Sequence, residues 1–191
     1  MDICGIIQDM GSEVLMHYYC LHCQTQKNRQ ISEMLKKLAG VDVIRPQITQ
    51  RKWKKGRQEL VQHEYLPGYL FIYSEEPLDS FYEVSRIAGV FRILGSRENG
   101  YELTGSDLSF AKMLHDMDGV IGIMKTYREG DIVKLDKSMF SGFEGRIVRL
   151  DRRKGRAQIE FDFDDSTQRV WVGYEMIDSH SSDTSAGQNR R

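Results

Sequence analysis

The sequence predicts an α+β fold: an antiparallel sheet carrying helices, linked to a small five-stranded β-barrel. Two patterns and one segment predict it. Strand-like and helix-like stretches alternate up to about residue 115, and the pattern turns all β from Arg128. The segment Tyr65-Leu66-Pro67-Gly68-Tyr69-Leu70-Phe71-Ile72 has the composition of a strand buried in mid-sheet and entered through a fixed turn.

In chain order, His17 to Cys23 reads as the first strand. Thr25 is placed to cap a helix reaching Leu38, with Ile31, Met34, Leu35 and Leu38 on one face, and Gly40 stops it. Val41 to Ile48 forms a second strand, broken by Pro46 and therefore near an edge. Leu66 to Tyr73 is the central strand. Pro77 starts a second helix along which Leu78, Phe81, Tyr82 and Ser85 recur, Val90 to Leu94 returns as a strand, and Ser106 caps a third helix to Leu114. Strand, helix, strand, strand, helix, strand is the order of a sheet covered on one face by two helices. Glycines among apolar residues mark 116–127 as a linker. Asp131 to Leu135, Gly145 to Leu150, Ala157 to Phe161 and Arg169 to Val172 are short strands, with turns at Ser141-Gly142 and Lys154-Gly155. Residues 179–191 lack large apolar side chains and are expected to be disordered.

A chain of 191 residues suits two domains. No apolar run approaches the roughly 20 residues that span a bilayer, and the start, Met1-Asp2, lacks the basic opening of a signal peptide. A cytoplasmic protein without a membrane is expected. Three cysteines, Cys4, Cys20 and Cys23, cannot pair completely and suit a reducing compartment. Cys20, His22 and Cys23 crowd together, yet a strand puts Cys23 on the side opposite the other two, and no second ligand pair follows. Neither a Walker loop nor a dinucleotide fingerprint is present, and no partner orients a thiol nucleophile. The expectation is a binding protein, not an enzyme, with no metal and no cofactor.

The formal net charge of -1 hides a polarity along the chain. Thr25 to Arg57 holds ten Lys or Arg against two acids, whereas Gln58 to Tyr127 holds five against eleven. The basic block is densest at Arg51-Lys52-Trp53-Lys54-Lys55-Gly56-Arg57, where the enclosed glycine favours a mobile arm near phosphates over a helix face.

The C-terminal half carries Gly130-Asp131-Ile-Val-Lys and then Phe140-Ser-Gly142-Phe143-Glu-Gly145-Arg-Ile-Val, a stretch that resembles the KOW motif. With His17-Tyr18-Tyr19, Leu66-Pro67-Gly68-Tyr69 and Val90-Phe91-Arg-Ile-Leu94-Gly95 upstream, residues 17–178 resemble the NusG family of transcription elongation factors. The resemblance implies an NGN domain over 17–115, a linker at 116–127, a KOW domain over 128–178, a tail at 179–191 and an N-terminal extension over 1–16, since the family's usual start lies near Met16. It implies a monomer whose NGN domain binds the clamp helices of RNA polymerase, closes the clamp and suppresses pausing and termination. The polymerase-facing residues carried over are His22, Leu66, Tyr69, Phe71, Phe91 and Leu94. The KOW motif itself comprises Gly130, Asp131, Phe140, Gly142, Phe143 and Gly145.

Within the family the basic N-terminal half and the ordinary β-type KOW sequence resemble the specialised LoaP branch, recruited to particular operons by an RNA hairpin, more than the RfaH branch, which reads DNA; an RNA hairpin is the expected element and non-template DNA the other. Lys27, Arg29, Lys52, Lys54, Lys55, Arg57 and Arg86 are the candidates for such contacts, and Trp53 either stacks on an exposed base or packs back on the domain. Branched and aromatic residues such as Ile147, Ile159, Phe161 and Trp171 favour a permanent barrel over a helical hairpin. The family's KOW partners, ribosomal protein S10 and Rho, meet a tip that reads here Phe161-Asp162-Phe163-Asp164-Asp165, an acidic departure from the family pattern. The turn Arg152-Arg153-Lys154-Gly155-Arg156 is either an RNA contact or a solvated turn.

Overall fold

Aromatic and branched side chains dominate β1 (His17–Cys23) and β5 (Tyr69–Ser74), which pair antiparallel at the centre of a four-stranded sheet with β2 (Val41–Ile44) and β6 (Val90–Ile93) at its edges. This computed structural model describes residues 15–37, 40–79, 81–129, 132–135 and 145–177. Alternation sorts the central strands between two faces. Tyr19, Leu21, Cys23, Leu70 and Ile72 pack against Ile31 and Leu35 of α1 (Asn28–Leu35) and Val84 of α2 (Phe81–Ser85). Cys20, Phe71 and Tyr73 belong to the opposite layer, with Phe110, Ala111 and Leu114 of α3 (Gly105–Asp116).

The expected order of strands and helices is therefore present, with local differences. A 3-10 turn occupies Thr25–Lys27, so the α-helix begins at Asn28 and Thr25 is not its cap. Met34 is exposed, because the spacing of four between Ile31 and Leu35 defines the buried stripe. Tyr82 is likewise exposed on a helix shorter than the periodicity suggested. Leu38 lies outside the described residues.

At Arg45-Pro46 the expected second strand divides. The chain leaves the sheet and continues as β3 (Gln47–Lys54), which turns at Lys55-Gly56 into β4 (Arg57–Glu64). The basic segment expected as a mobile arm is thus the end of a paired β-hairpin. Its turn has positive φ at both Lys55 and Gly56, the twist that suits a two-residue hairpin loop. The segment 116–127, expected as a linker, also carries strands: β7 (Val120–Ile121) runs parallel beside β3, and β8 (Met124–Glu129) joins the C-terminal sheet. That sheet has five strands, in the order β10 (Arg146–Asp151), β11 (Arg156–Phe163), β12 (Ser166–Met176), β8, β9 (Ile132–Leu135). β9 lies near β10, so the sheet curls toward a barrel. No helix among the described residues is long and apolar enough to cross a membrane.

Two features of this frame have measurable consequences. The turn into β5 passes through Gly68 at φ +95, whose carbonyl accepts the Cys23 N–H at 2.7 Å; a Cβ there would stand 2.7 Å from the Cys23 carbonyl oxygen. Gly68→Ala is expected to cost about 2–3 kcal/mol of folding stability in urea titration, through backbone strain and a broken junction between β1 and β5. On the C-terminal sheet, Glu160 accepts from Arg146 Nε at 2.9 Å and from Arg169 Nε at 2.7 Å. Arg146 first, then Arg169, holds the Glu160 carboxyl below its ordinary range. A depressed carboxyl stabilises the fold above its unfolded pKa and loses that contribution as pH falls through the folded value. Glu160→Gln should therefore flatten the acid limb of the stability-versus-pH curve, measured by denaturation from pH 7 downward.

Candidate functional site

The second face of the N-terminal sheet is an aromatic strip. His22 and Tyr69 are cross-strand partners and their rings stack at 4.6 Å, while the Phe91 ring meets His22 edge-on at 5.4 Å. Phe91 is 66% exposed, unusual for a side chain of that size with its neighbours half-buried. Phe71, two residues along β5 from Tyr69, is fully buried, as is Leu94, and Leu66 is buried. The six residues expected at the polymerase contact thus belong to one face, but they split into an open end, Phe91 with His22, and a covered end, with half-buried Tyr69 between them.

The cover comes from the C-terminal sheet. Phe161 and Phe163, alternate residues near the end of β11, both point inward. The Phe163 ring lies 5.4 Å from Tyr69, 5.5 Å from Phe71 and 5.2 Å from Phe110, and Phe161 stacks on Phe110 at 4.8 Å. The β11–β12 turn places Asp164 and Asp165 at positive φ, a conformation aspartate tolerates better than most residues. There Asp164 accepts from the Tyr69 hydroxyl at 2.7 Å and from Arg92 Nη2 at 2.6 Å, and its own N–H donates to Asp107 Oδ1 at 3.0 Å. Burial, and then the bond to Asp164, push the Tyr69 phenol up to about 12. Burial also raises the Asp107 carboxyl, helped by the charges of Asp164 and Asp165 and opposed by the Asp164 N–H. A raised carboxyl favours this arrangement most below the ordinary carboxylate range and loses that contribution as pH rises through the higher value.

This seat was not legible in the sequence. Phe161 and Phe163 are recognisable as inward strand residues flanking aspartates, but their target lies some 90 residues upstream, at Tyr69 and Phe71. Asp164, in the acidic tip, is the residue that engages Arg92 and Tyr69.

The basic candidates occupy two places. Lys52, Lys55 and Arg57 are exposed along the β3–β4 hairpin; the side chains of Trp53 and Lys54 lie outside the described residues. Lys27, Arg29 and Arg86 sit instead at the α1 and α2 end. Arg29 pairs with Glu33 at 3.1 Å, and the Arg86 guanidinium lies 5.2 Å over the Tyr82 ring, so neither is a bare charge. Of the KOW residues, Gly145 stands half-buried before β10, and Gly130, Asp131, Phe140, Gly142 and Phe143 lie outside the described residues. Cys20 and Cys23 are buried free thiols on opposite faces of β1, and burial raises both. Among the described residues no group of three His, Cys, Asp or Glu is arranged to hold a metal.

Comparison with known proteins bears on the N-terminal module directly. The family model described as NusG, transcription termination factor, matches residues 16–114. The transcription termination/antitermination protein NusG of Rickettsia conorii is 25% identical over 153 residues, covering 74% of this chain and 79% of that protein. The large ribosomal subunit protein uL24 of Sulfolobus acidocaldarius is 39% identical over 51 residues, 26% of this chain and 38% of its own length. A solved structure, described as domain interaction in Thermotoga maritima NusG, aligns over 83% of this chain and 94% of that one with a TM-score of 0.49 and 14% identity. Because the family model spans more than half of the sequence and covers β1 through α3, the chain belongs to the NusG family.

Proposed function

We propose that this protein is a transcription elongation and antitermination factor whose aromatic strip binds the clamp helices of RNA polymerase and holds the clamp closed, which disfavours pausing and carries elongation through terminators. The observation that carries this reading is Phe91, an exposed aromatic flanked by half-buried His22 and Tyr69 on a sheet face whose remaining apolar residues are covered by the same chain. Aromatic anchors at the centre of a desolvated patch are what a protein interface uses. In this reading two modules, 17–115 and 128–178, divide the work in a monomeric, cytoplasmic protein that acts by binding and not by catalysis. Phe71, Leu66 and Leu94 join the contact once the β11–β12 turn withdraws. Recruitment to particular operons, in the manner of the LoaP and RfaH branches, falls to the hairpin residues Lys52, Lys55 and Arg57 through an RNA hairpin or non-template DNA; a factor acting generally, without such an element, is the simpler variant.

A second reading, an RNA-binding KOW protein that never meets polymerase, draws on the 51-residue likeness to uL24. Co-precipitation from extract separates the two, since only the first brings down core polymerase. Phe91→Asp should reduce that capture at least about tenfold, the loss of one hot-spot anchor, with the folded state checked by circular dichroism. Unchanged capture, together with unchanged readthrough of a terminator in vitro, would remove the proposal.

Asp164→Ala deletes the acceptor shared by Tyr69 and Arg92. Its expected effect is the opposite of that at Phe91: tighter polymerase binding, by roughly threefold to thirtyfold for the loss of one charge-assisted contact, read by titration of labelled protein with core enzyme.

A further inference from the structure

The outer face of the C-terminal sheet has a constellation that the polymerase contact leaves unused. Gln158 is the cross-strand partner of both Arg149 and Trp171, so the three stand in one row on the same face. Trp171 is half-buried on that face, with the Arg156 guanidinium 4.5 Å and the Arg149 guanidinium 6.0 Å from its ring. Beside it the β10–β11 turn is held rigid: the Asp151 carboxylate accepts the Lys154 N–H at 3.1 Å, Gly155 takes φ +58, and Arg152, Arg153 and Lys154 project into solvent. Together they line an open depression of about 550 Å³ in which Asp151, already engaged by Arg156 at 3.2 Å, is the one acidic lining residue among the described residues.

This depression continues toward the N-terminal hairpin. A second groove, of about 320 Å³, is bounded by Arg51, Lys52 and Gln58 on one side and by Lys154, Gly155 and Arg156 on the other, with no carboxylate in its lining among the described residues. The hairpin is fixed against the sheet here: Gln50 Nε2 donates to the Trp171 carbonyl at 2.9 Å, and Arg51 donates to the Tyr174 carbonyl and pairs with Glu175. Lys154 and Arg156 border both depressions, so the cationic track runs from the indole to β3.

A flat aromatic ring on a sheet, set beside exposed cations such as Arg152, Arg153 and Lys154, is a device by which proteins hold single strands: the base stacks and the phosphates on either side find guanidinium and ammonium groups. A protein partner would call for a larger apolar centre than one indole. We propose that this face, centred on Trp171, is a second nucleic-acid site that binds single strands, with one base on the indole and the flanking phosphates on Arg152, Arg153 and Lys154. It is separate from the hairpin-tip residues Lys55 and Arg57 and does not depend on their role.

The chain has two tryptophans, so Trp53→Phe in the full-length protein leaves Trp171 as the sole indole reporter. Oligouridylate and oligothymidylate of about 12 nucleotides, within the usual range of site sizes, are expected to quench its emission saturably, and added salt should weaken the binding as counterions are released. The stronger of the two identifies RNA or DNA as the source. Joint reversal at Arg152→Glu, Arg153→Glu and Lys154→Glu should weaken binding at least about tenfold, and Trp171→Leu by about fivefold to a hundredfold, while Trp171→Phe retains most of it. The proposal is overturned if the oligomers do not bind at low salt, if they bind without changing Trp171 emission, if polyglutamate competes as well as RNA, or if a duplex is preferred. Loss of binding in Lys55→Glu/Arg57→Glu but not in the barrel variants would also overturn it, while leaving the hairpin as the reader. Loss in the barrel variants with the hairpin pair unaffected supports it and counts against the hairpin.

Discussion

A four-stranded sheet has two faces, and each must be removed from water. Helices α1 and α2 remove one; α3 removes only part of the other, leaving Tyr69, Phe71 and their neighbours to be covered by something else. In this structure Phe161 and Phe163 complete the layer, so a single apolar cluster runs from β1 and β5 through α3 into β11 and β12. The burial of two phenylalanines at about 25 cal/mol per Å² is a substantial gain, on the order of a few kcal/mol in total. It is also a gain that a competing apolar surface of the right shape can replace, because burial has no directional demand. The polar bonds around Asp164 then decide register more than strength: they fix where the turn sits, and they involve side chains that water can satisfy when the turn leaves.

The two ends of the aromatic strip consequently have different status. Phe91 is open and His22 only half-buried, so a first encounter needs no rearrangement. The deeper residues are reached only by displacing the chain's own phenylalanines, and whatever binds them must first overcome that internal contact. The strip lies within the 16–114 segment that the family model matches, and its open end is defined by exposure and ring geometry.

The strands most legible in the sequence were those whose neighbours are close in the sheet and whose side chains alternate plainly. β1, β5 and β6 read from runs such as His-Tyr-Tyr-Cys-Leu and Tyr-Leu-Phe-Ile-Tyr. The hairpin β3–β4 was hidden because Gln, Arg, Lys and Glu occupy both of its faces, so charge outweighed periodicity. β7 and β8 were hidden for another reason. Their partners, β3 and β12, lie some 50 to 70 residues away, and parallel pairing leaves no turn to announce it. The aromatic strip was legible as a set of residues; its cover was not, because nothing local links Phe163 to Tyr69.

Arg51 sits at the root of the hairpin, bound to the Tyr174 carbonyl and the Glu175 carboxylate of β12. The hairpin extends beyond that anchor by only the few residues to Lys55 and Gly56. Mechanically it is a short lever with its fulcrum on the last of the described strands. A load on the loop would meet that anchor within about a nanometre, at roughly 3.3 Å per strand residue, on the strand whose opposite end pairs with β11 at Phe163.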